Sequence, residues 1–305
     1  MEKANLYIFN FSVFVFRILI IVVVVGFIFS FVFEKFIIFN TQISGAAKIN
    51  RILSKTEISE IPIFGSSRAE GNFVPSIIEK NNCFNYGIAG TQANIWLFFL
   101  ENELKKEKQT PVIINFDLSG LVRSDGSIGN YIPNWDATKS IILSKGELYY
   151  NIPFVKYYGK YEEYLKYYLN EKMNLTKITD NGGSFEKNKL TEIKFKELVS
   201  RRKDAISRFS LDEQLEFDLN KMINSTSRKI IFVVSPYHKS FFNKFKNIDI
   251  VNDYLKSLND RVNVEVVDLR NYIIDDSMFM NTTHLNYEGA KKFSEKLNEL
   301  LTLGV

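Results

Sequence analysis

The apolar positions divide the chain into two unlike parts. Residues 6–33, LYIFNFSVFVFRILIIVVVVGFIFSFVF, carry one charge, Arg17. Ile18–Phe33 is free of charge, and Glu34-Lys35 is followed by Phe36-Ile37-Ile38. A helix needs about 20 apolar residues to cross a bilayer. Residues 18–38 supply them if Glu34 and Lys35 reach to the interface. The segment is apolar on all faces, which argues against a core helix of a folded domain. A cleavable signal peptide is the stronger rival, with a shorter apolar run and a small-x-small site close behind it. Ser44-Gly45-Ala46-Ala47 is the one candidate for that site and it lies late. The reading is therefore an uncleaved signal anchor over residues 1–40, then a linker over 41–60. Lys3 and Arg17 flank one side of the segment, and Lys35, Lys48, Arg51 and Lys55 the other. Charge bias alone gives no orientation.

Beyond residue 60 short apolar runs alternate with amphipathic stretches. The runs predict strands at Ile61–Phe64, Cys83–Tyr86, Val112–Phe116, Lys229–Val234 and Val262–Val267. The stretches predict helices over about 92–107, 190–223, 240–258 and 287–302. Strand then helix, repeated, gives an α/β fold in three layers, a parallel sheet with helices on both faces, over 61–305. Ligands of such sheets bind at the carboxyl ends of the strands. An insertion at about 120–190 breaks the rhythm. Nine of the chain's 15 tyrosines lie within Tyr131–Tyr168, interleaved with Lys and Glu. They read either as rings packed within the insertion or as a cap whose aromatic faces meet an amphipathic substrate such as a sugar.

Composition narrows the classes. The 305 residues are 46% hydrophobic and 24% charged, which excludes disordered and collagen-like chains. A net charge of +4 is too weak a bias to argue for nucleic acid. The single cysteine, Cys83, allows no disulfide framework and no cysteine-based zinc site. Two histidines without a carboxylate cluster make a poor metal site. No Walker-type or dinucleotide glycine pattern occurs, so no cofactor is expected. The basic runs at 104–108 and 200–203 read as solvated helix faces.

Two segments carry candidate chemistry. The first strand runs into Gly65-Ser66-Ser67-Arg68, where a glycine permits a tight turn that exposes a hydroxyl and backbone N–H groups. The C-terminal segment Asn281-Thr282-Thr283-His284-Leu285-Asn286 puts a loop histidine before the last helix. A serine hydroxyl is a poor nucleophile until a base takes its proton, which imidazole does near neutral pH. Each half alone is more often structural. The other histidine, in Ser235-Pro236-Tyr237-His238, also follows a strand and reads as a backbone-bonded loop residue or as a substrate contact at the rim.

Taken in order, these blocks resemble the SGNH (GDSL-like) hydrolase superfamily. Gly65-Ser66-Ser67 stands where that family has Gly-Asp-Ser, which implies Ser67 as nucleophile. Asn85-Tyr86-Gly87-Ile88-Ala89-Gly90 resembles the second block and implies the Gly90 N–H, beside that of Ser67, as an oxyanion donor. Asn281 to Ala290 resembles Asp-x-x-His-Leu-Asn-x-x-Gly-Ala, with His284 as base. The family implies a flavodoxin-like fold. The apolar segment and the Gly-Ser-Ser variant look most like the branch containing the teichoic-acid alanylation protein DltD and the alginate acetylation proteins. That branch implies an extracytoplasmic domain on a single-pass anchor, with the N-terminus in the cytoplasm. It also implies chemistry on acyl esters of a cell-envelope polysaccharide, beside a membrane-bound O-acyltransferase partner.

Two departures bear on turnover. The third block should supply an asparagine to the oxyanion hole, but Asn115 lies inside the strand, Asp117 would repel the oxyanion if ionised, and Ser119 can donate from its hydroxyl. Asn281 replaces the usual Asp; it can orient the imidazole but brings no charge to stabilise the imidazolium. Arg68, Asp117 and His238 complete the expected site as substrate-binding groups. The expected function is thus a serine esterase or O-acyltransferase. The alternative is a binding or scaffold protein that keeps the fold and has lost turnover.

Overall fold

The five strands are nearly continuous apolar runs, as parallel strands covered on both faces must be. The computed structural model describes residues 2–54, 57–78, 82–123, 157, 159–173, 175, 177–186, 192–201, 207–243 and 245–303. In chain order the helices are α1 (Glu2–Phe33), α2 (Gly45–Leu53), α3 (Ser67–Asn72), α4 (Ala93–Leu104), α5 (Tyr161–Met173), α6 (Glu192–Arg201), α7 (Glu213–Asn224), α8 (Lys239–Phe242), α9 (Ile248–Asn259) and α10 (Tyr287–Leu303). The strands are β1 (Ile61–Phe64), β2 (Cys83–Asn85), β3 (Val112–Asn115), a hairpin of β4 (Lys177–Asp180) and β5 (Gly183–Glu186), β6 (Ile230–Val234) and β7 (Val264–Asp268). Two-residue strands pair Ser207–Arg208 with Phe245–Lys246 and Gly120–Leu121 with Ser210–Leu211.

The central sheet has the order β7-β6-β3-β1-β2, parallel throughout. Counting the sheet's own strands along the chain, this is the flavodoxin-like order 2-1-3-4-5, with its topological switch between β1 and β3. Alternate side chains divide between two cores. Phe64, Phe84, Ile114, Phe232 and Val234 face α2, α4, α7 and α9. Ile63, Cys83, Ile113, Ile231 and Val233 face Phe73, Phe185, Phe195 and the inner face of α10. The protein is therefore a mixed α/β fold with a central parallel sheet, helices on both sides and one N-terminal apolar helix.

Helix α1 runs into a turn of π-helix at Glu34–Ile38. Phe11–Ile38 is long and apolar enough to cross a membrane. Its end is docked on the folded body. Tyr157 donates to Glu34 Oε1 at 2.6 Å, and Tyr161 lies edge-on to Phe33 at 5.0 Å. Ile38 packs with Ala46, Tyr157 and Tyr164.

Three predicted elements differ. The helix expected over 190–223 is two, α6 and α7, separated by extended residues 207–211. The apolar spacing continues across the gap, but Phe209 is drawn into the core and the Asp212 side chain caps α7 by accepting from Leu215 N–H. The helix expected over 240–258 is broken at Asn247, whose backbone is left-handed with φ 56°. Its side chain bonds both backbone groups of Phe209, at 3.2 Å each, which fixes the break. The segment 41–60 holds a helix, α2, capped by Ser44 and burying Ala46, Ile49 and Ile52.

Candidate active site

At the carboxyl end of β1 the chain turns sharply. Gly65 has φ 149°, and a Cβ there would lie 2.7 Å from that of Ala69. Helix α3 then starts at Ser67, with Ser66 as its cap accepting from Arg68 N–H. The turn after β2 approaches the same helix. Gly87 permits this, since a Cβ there would lie 2.4 Å from Glu70 N and 2.9 Å from Ser66 O. Asn85 locks the approach: its Nδ2 donates to the Ala69 and Phe73 carbonyls, and its Oδ1 accepts from Gly87 N–H. Glu70 accepts from Ala89 N–H at 2.8 Å. A third loop comes from the chain's end, where the Leu285 N–H donates to Asn72 and the Thr282 carbonyl accepts from His238 N–H.

These loops bring Ser67 and His284, 217 residues apart, to a Ser67 Oγ–His284 Nε2 distance of 2.8 Å. His284 Nδ1 lies 3.1 Å from Asn281 Oδ1 and 3.0 Å from Thr283 Oγ1. With the proton on Nδ1 donated to Asn281, the Nε2 lone pair is left towards the serine hydroxyl. The pair opens on a cleft of about 260 Å³ at the carboxyl ends of the strands, lined also by Gly90, Gln92, Ser119, Tyr237 and Phe241. Among the described residues no protein acceptor engages the N–H of Ser67 or of Gly90. Helix-start N–H groups are left without intrahelical partners by construction. A hydroxyl, a base and donors around one cleft can carry out acyl transfer through a covalent intermediate.

Ser119 lines the cleft. Asn115 ends β3 fully buried and gives its Nδ2–H to Asp117. Asp117 also accepts from Ser66 Oγ at 2.5 Å and from Arg68. Arg68, expected as a substrate contact, borders the cleft but is 4% exposed and spends its donors within the protein. Its Nε donates to the Thr283 carbonyl, Nη1 to Asp117, and Nη2 to Ser235 and the Pro236 carbonyl. It also stacks on Tyr237, 3.3 Å from ring centroid to Cζ. Burial raises the Tyr237 phenol above its ordinary value, so the ring stays neutral under the guanidinium. Arg68 therefore ties together the loops after β1, β3 and β6 and the loop that carries His284.

His238 stands outside the cleft. It caps α8, with Nδ1 accepting from Ser240 N–H, and its Nε2 lies 3.1 Å from Asp276. Its ring packs edge-on against Phe195 and Phe279. The preceding residue, Tyr237, turns into the cleft, and the next side chain turns away. Burial works against the Asp276 carboxylate, but His238 and Lys239 beside it hold it below the ordinary range.

The aromatic insertion does not wall the cleft where it is described. Tyr157, Tyr161 and Tyr164 pack on one another and at the end of α1. Most of the rest of the expected cap, residues 124–156 above all, lies outside the described residues. Sequence patterns assigned no role to Ser66, Glu70 or Thr283, whose roles come from bonds between separate loops. A signal existed only for Ser66, as a cap residue before a helix.

No family model matches the sequence, and no curated protein is significantly similar to it. Among solved structures, a proposed platelet activating factor from Streptococcus pneumoniae aligns at 12% identity and TM-score 0.40, over 84% of this chain and 90% of that one. A proposed acylhydrolase from Bacteroides fragilis aligns at 11% identity and TM-score 0.40, over 86% of this chain and 97% of that one. A likeness of that order assigns neither substrate nor reaction.

Proposed function

We propose that this protein is an SGNH-type serine esterase or O-acyltransferase that works from a membrane. The observation that carries the reading is the 2.8 Å contact between Ser67 Oγ and His284 Nε2 in an open cleft at strand ends. Ser67 Oγ attacks an ester carbonyl carbon while its proton passes to His284 Nε2. The N–H groups of Ser67 and Gly90, with the Ser119 hydroxyl, receive the oxyanion. As the tetrahedral species collapses, His284 protonates the departing alcohol and the acyl group remains on Ser67. Water or a sugar hydroxyl then gives its proton to His284 as it attacks the acyl carbon, and His284 returns that proton to Ser67 Oγ as the Ser67–acyl bond breaks.

The substrate in this reading is an acylated cell-envelope polysaccharide, with the domain outside the membrane and a membrane-bound O-acyltransferase as donor partner. The blocks around Ser67, Gly90 and His284 and the apolar helix support it. Labelling by a fluorophosphonate tests the nucleophile. It is expected in the wild type, absent in Ser67→Ala and at least about tenfold slower in His284→Ala. No labelling of the wild type would favour the scaffold reading, in which Asn281 marks lost turnover. A labelled acyl donor supplied with and without polysaccharide then separates transfer from hydrolysis; equal product in both excludes transfer.

A further inference from the structure

The turn that carries Gly90 is held from behind by a lysine. Lys48 lies on α2 and is completely buried. Its Nζ donates to the Gly87 carbonyl oxygen at 2.5 Å. The charged groups facing it are Glu70 on α3, Glu171 on α5 and Lys177 on β4. Among the described residues no carboxylate pairs with it directly. An ammonium buried against one carbonyl is unfavourable, and an apolar side chain of the same length would fill the space without that cost. The charge therefore has a use beyond packing. Burial, with Lys177 adding and Glu70 and Glu171 opposing, lowers the amine to a pKa of about 8.

The same turn is pinned at neighbouring atoms. Gly87 N–H goes to Asn85 Oδ1 and Ala89 N–H to Glu70 Oε2. The Gly87 carbonyl goes to Lys48, so the peptide groups on both sides of Ile88 are fixed from within the protein. Gly90 follows with φ 76° at the cleft wall. We propose that Lys48 is a positioning residue for the oxyanion site: it fixes the Gly87 carbonyl, thereby aims the Gly90 N–H, and sets a positive charge behind the developing oxyanion. The inference rests on the serine-nucleophile reading above. Below the amine's titration Lys48 is charged. Above it the charge is gone and the hold on the carbonyl weakens, so Ser67 becomes less reactive as pH rises through about 8.

The test is the rate of fluorophosphonate labelling of the full chain in detergent, between about pH 6 and about pH 10, for wild type, Lys48→Met and Lys48→Gln. The wild-type rate is expected to fall through about pH 8. Lys48→Met is expected to label about tenfold more slowly at neutral pH and to lack the fall. Lys48→Gln, which keeps a donor without a titrating charge, should retain part of the neutral rate and also lack the fall. Thermal unfolding establishes that each variant is folded; if Met at this position does not fold, the Gln variant carries the test. A fall that persists in a folded variant, or neutral rates equal to wild type, overturns the inference and leaves the nucleophile reading standing. No wild-type labelling at any pH overturns the nucleophile reading and the inference with it.

Discussion

Asn281 Oδ1 accepts from the N–H groups of Thr283 and His284, from Thr283 Oγ1 and from the imidazole Nδ1. That many donors on one oxygen suit a carboxylate better than an amide, because a charged acceptor strengthens every bond it receives. Asparagine orients the ring and leaves the imidazolium without a counter-charge. Asn281→Asp is therefore expected to raise the fluorophosphonate labelling rate by about tenfold or more; an unchanged rate would show that orientation alone suffices. Arg68 is the second residue on which the cleft depends. Arg68→Met would leave the half-buried Asp117 at the strand ends without its cation and would free three loops. A loss of about 2 kcal/mol in urea unfolding is expected, since the buried guanidinium's hydrogen bonds to the loops go while Asp117, 18% exposed, is reached by water.

Among the elements, α2 has the least usual energetics, because its packing surface includes an amine. The folded-state pKa of Lys48, about 8, lies below its ordinary 10.5. Between these values the unfolded chain binds the proton and the folded one does not, so stability rises with pH across that window. Below it the full penalty, about 3 kcal/mol, is present. Equilibrium unfolding of the wild type should follow that slope, and Lys48→Met should flatten it and be more stable at neutral pH. Paired with slower labelling, that is stability given up for function. Such a residue is illegible in a sequence, where Lys48 reads only as one more cation beyond the apolar segment. The central strands were legible because Ile230–Val234 is an unbroken apolar run and its neighbours Val112–Asn115 and Val264–Asp268 are mostly apolar. The positions of Ser67 and His284 were legible because strand ends converge in a parallel sheet. What the sequence could not resolve was direction. The period of 190–223 does not register the capping Asp212, nor that of 240–258 the turned backbone of Asn247. Nothing in Tyr237-His238 tells which ring faces the cleft.

At the scale of the molecule, one helix stands apart from the layered fold. Phe11–Ile38 has the length and apolarity for a bilayer, and among its exposed side chains are Phe14, Leu19, Ile21 and Phe31. Burying that much apolar surface in lipid is worth far more than any surface contact. The full chain is expected to sediment with membranes and to stay there through alkaline carbonate extraction. Release into the supernatant would contradict insertion. The junction matters as much as the helix. Tyr157 on Glu34, Tyr161 on Phe33 and Ile38 among Ala46 and Tyr164 tie the end of that helix to the body that carries the cleft. The cleft-bearing body is thus joined to the helix through a docked end rather than a free linker. Under the proposed function, whatever surface holds the helix also sets the height at which the cleft stands, so a long polymer would be worked on at one level above that surface and not along its whole length.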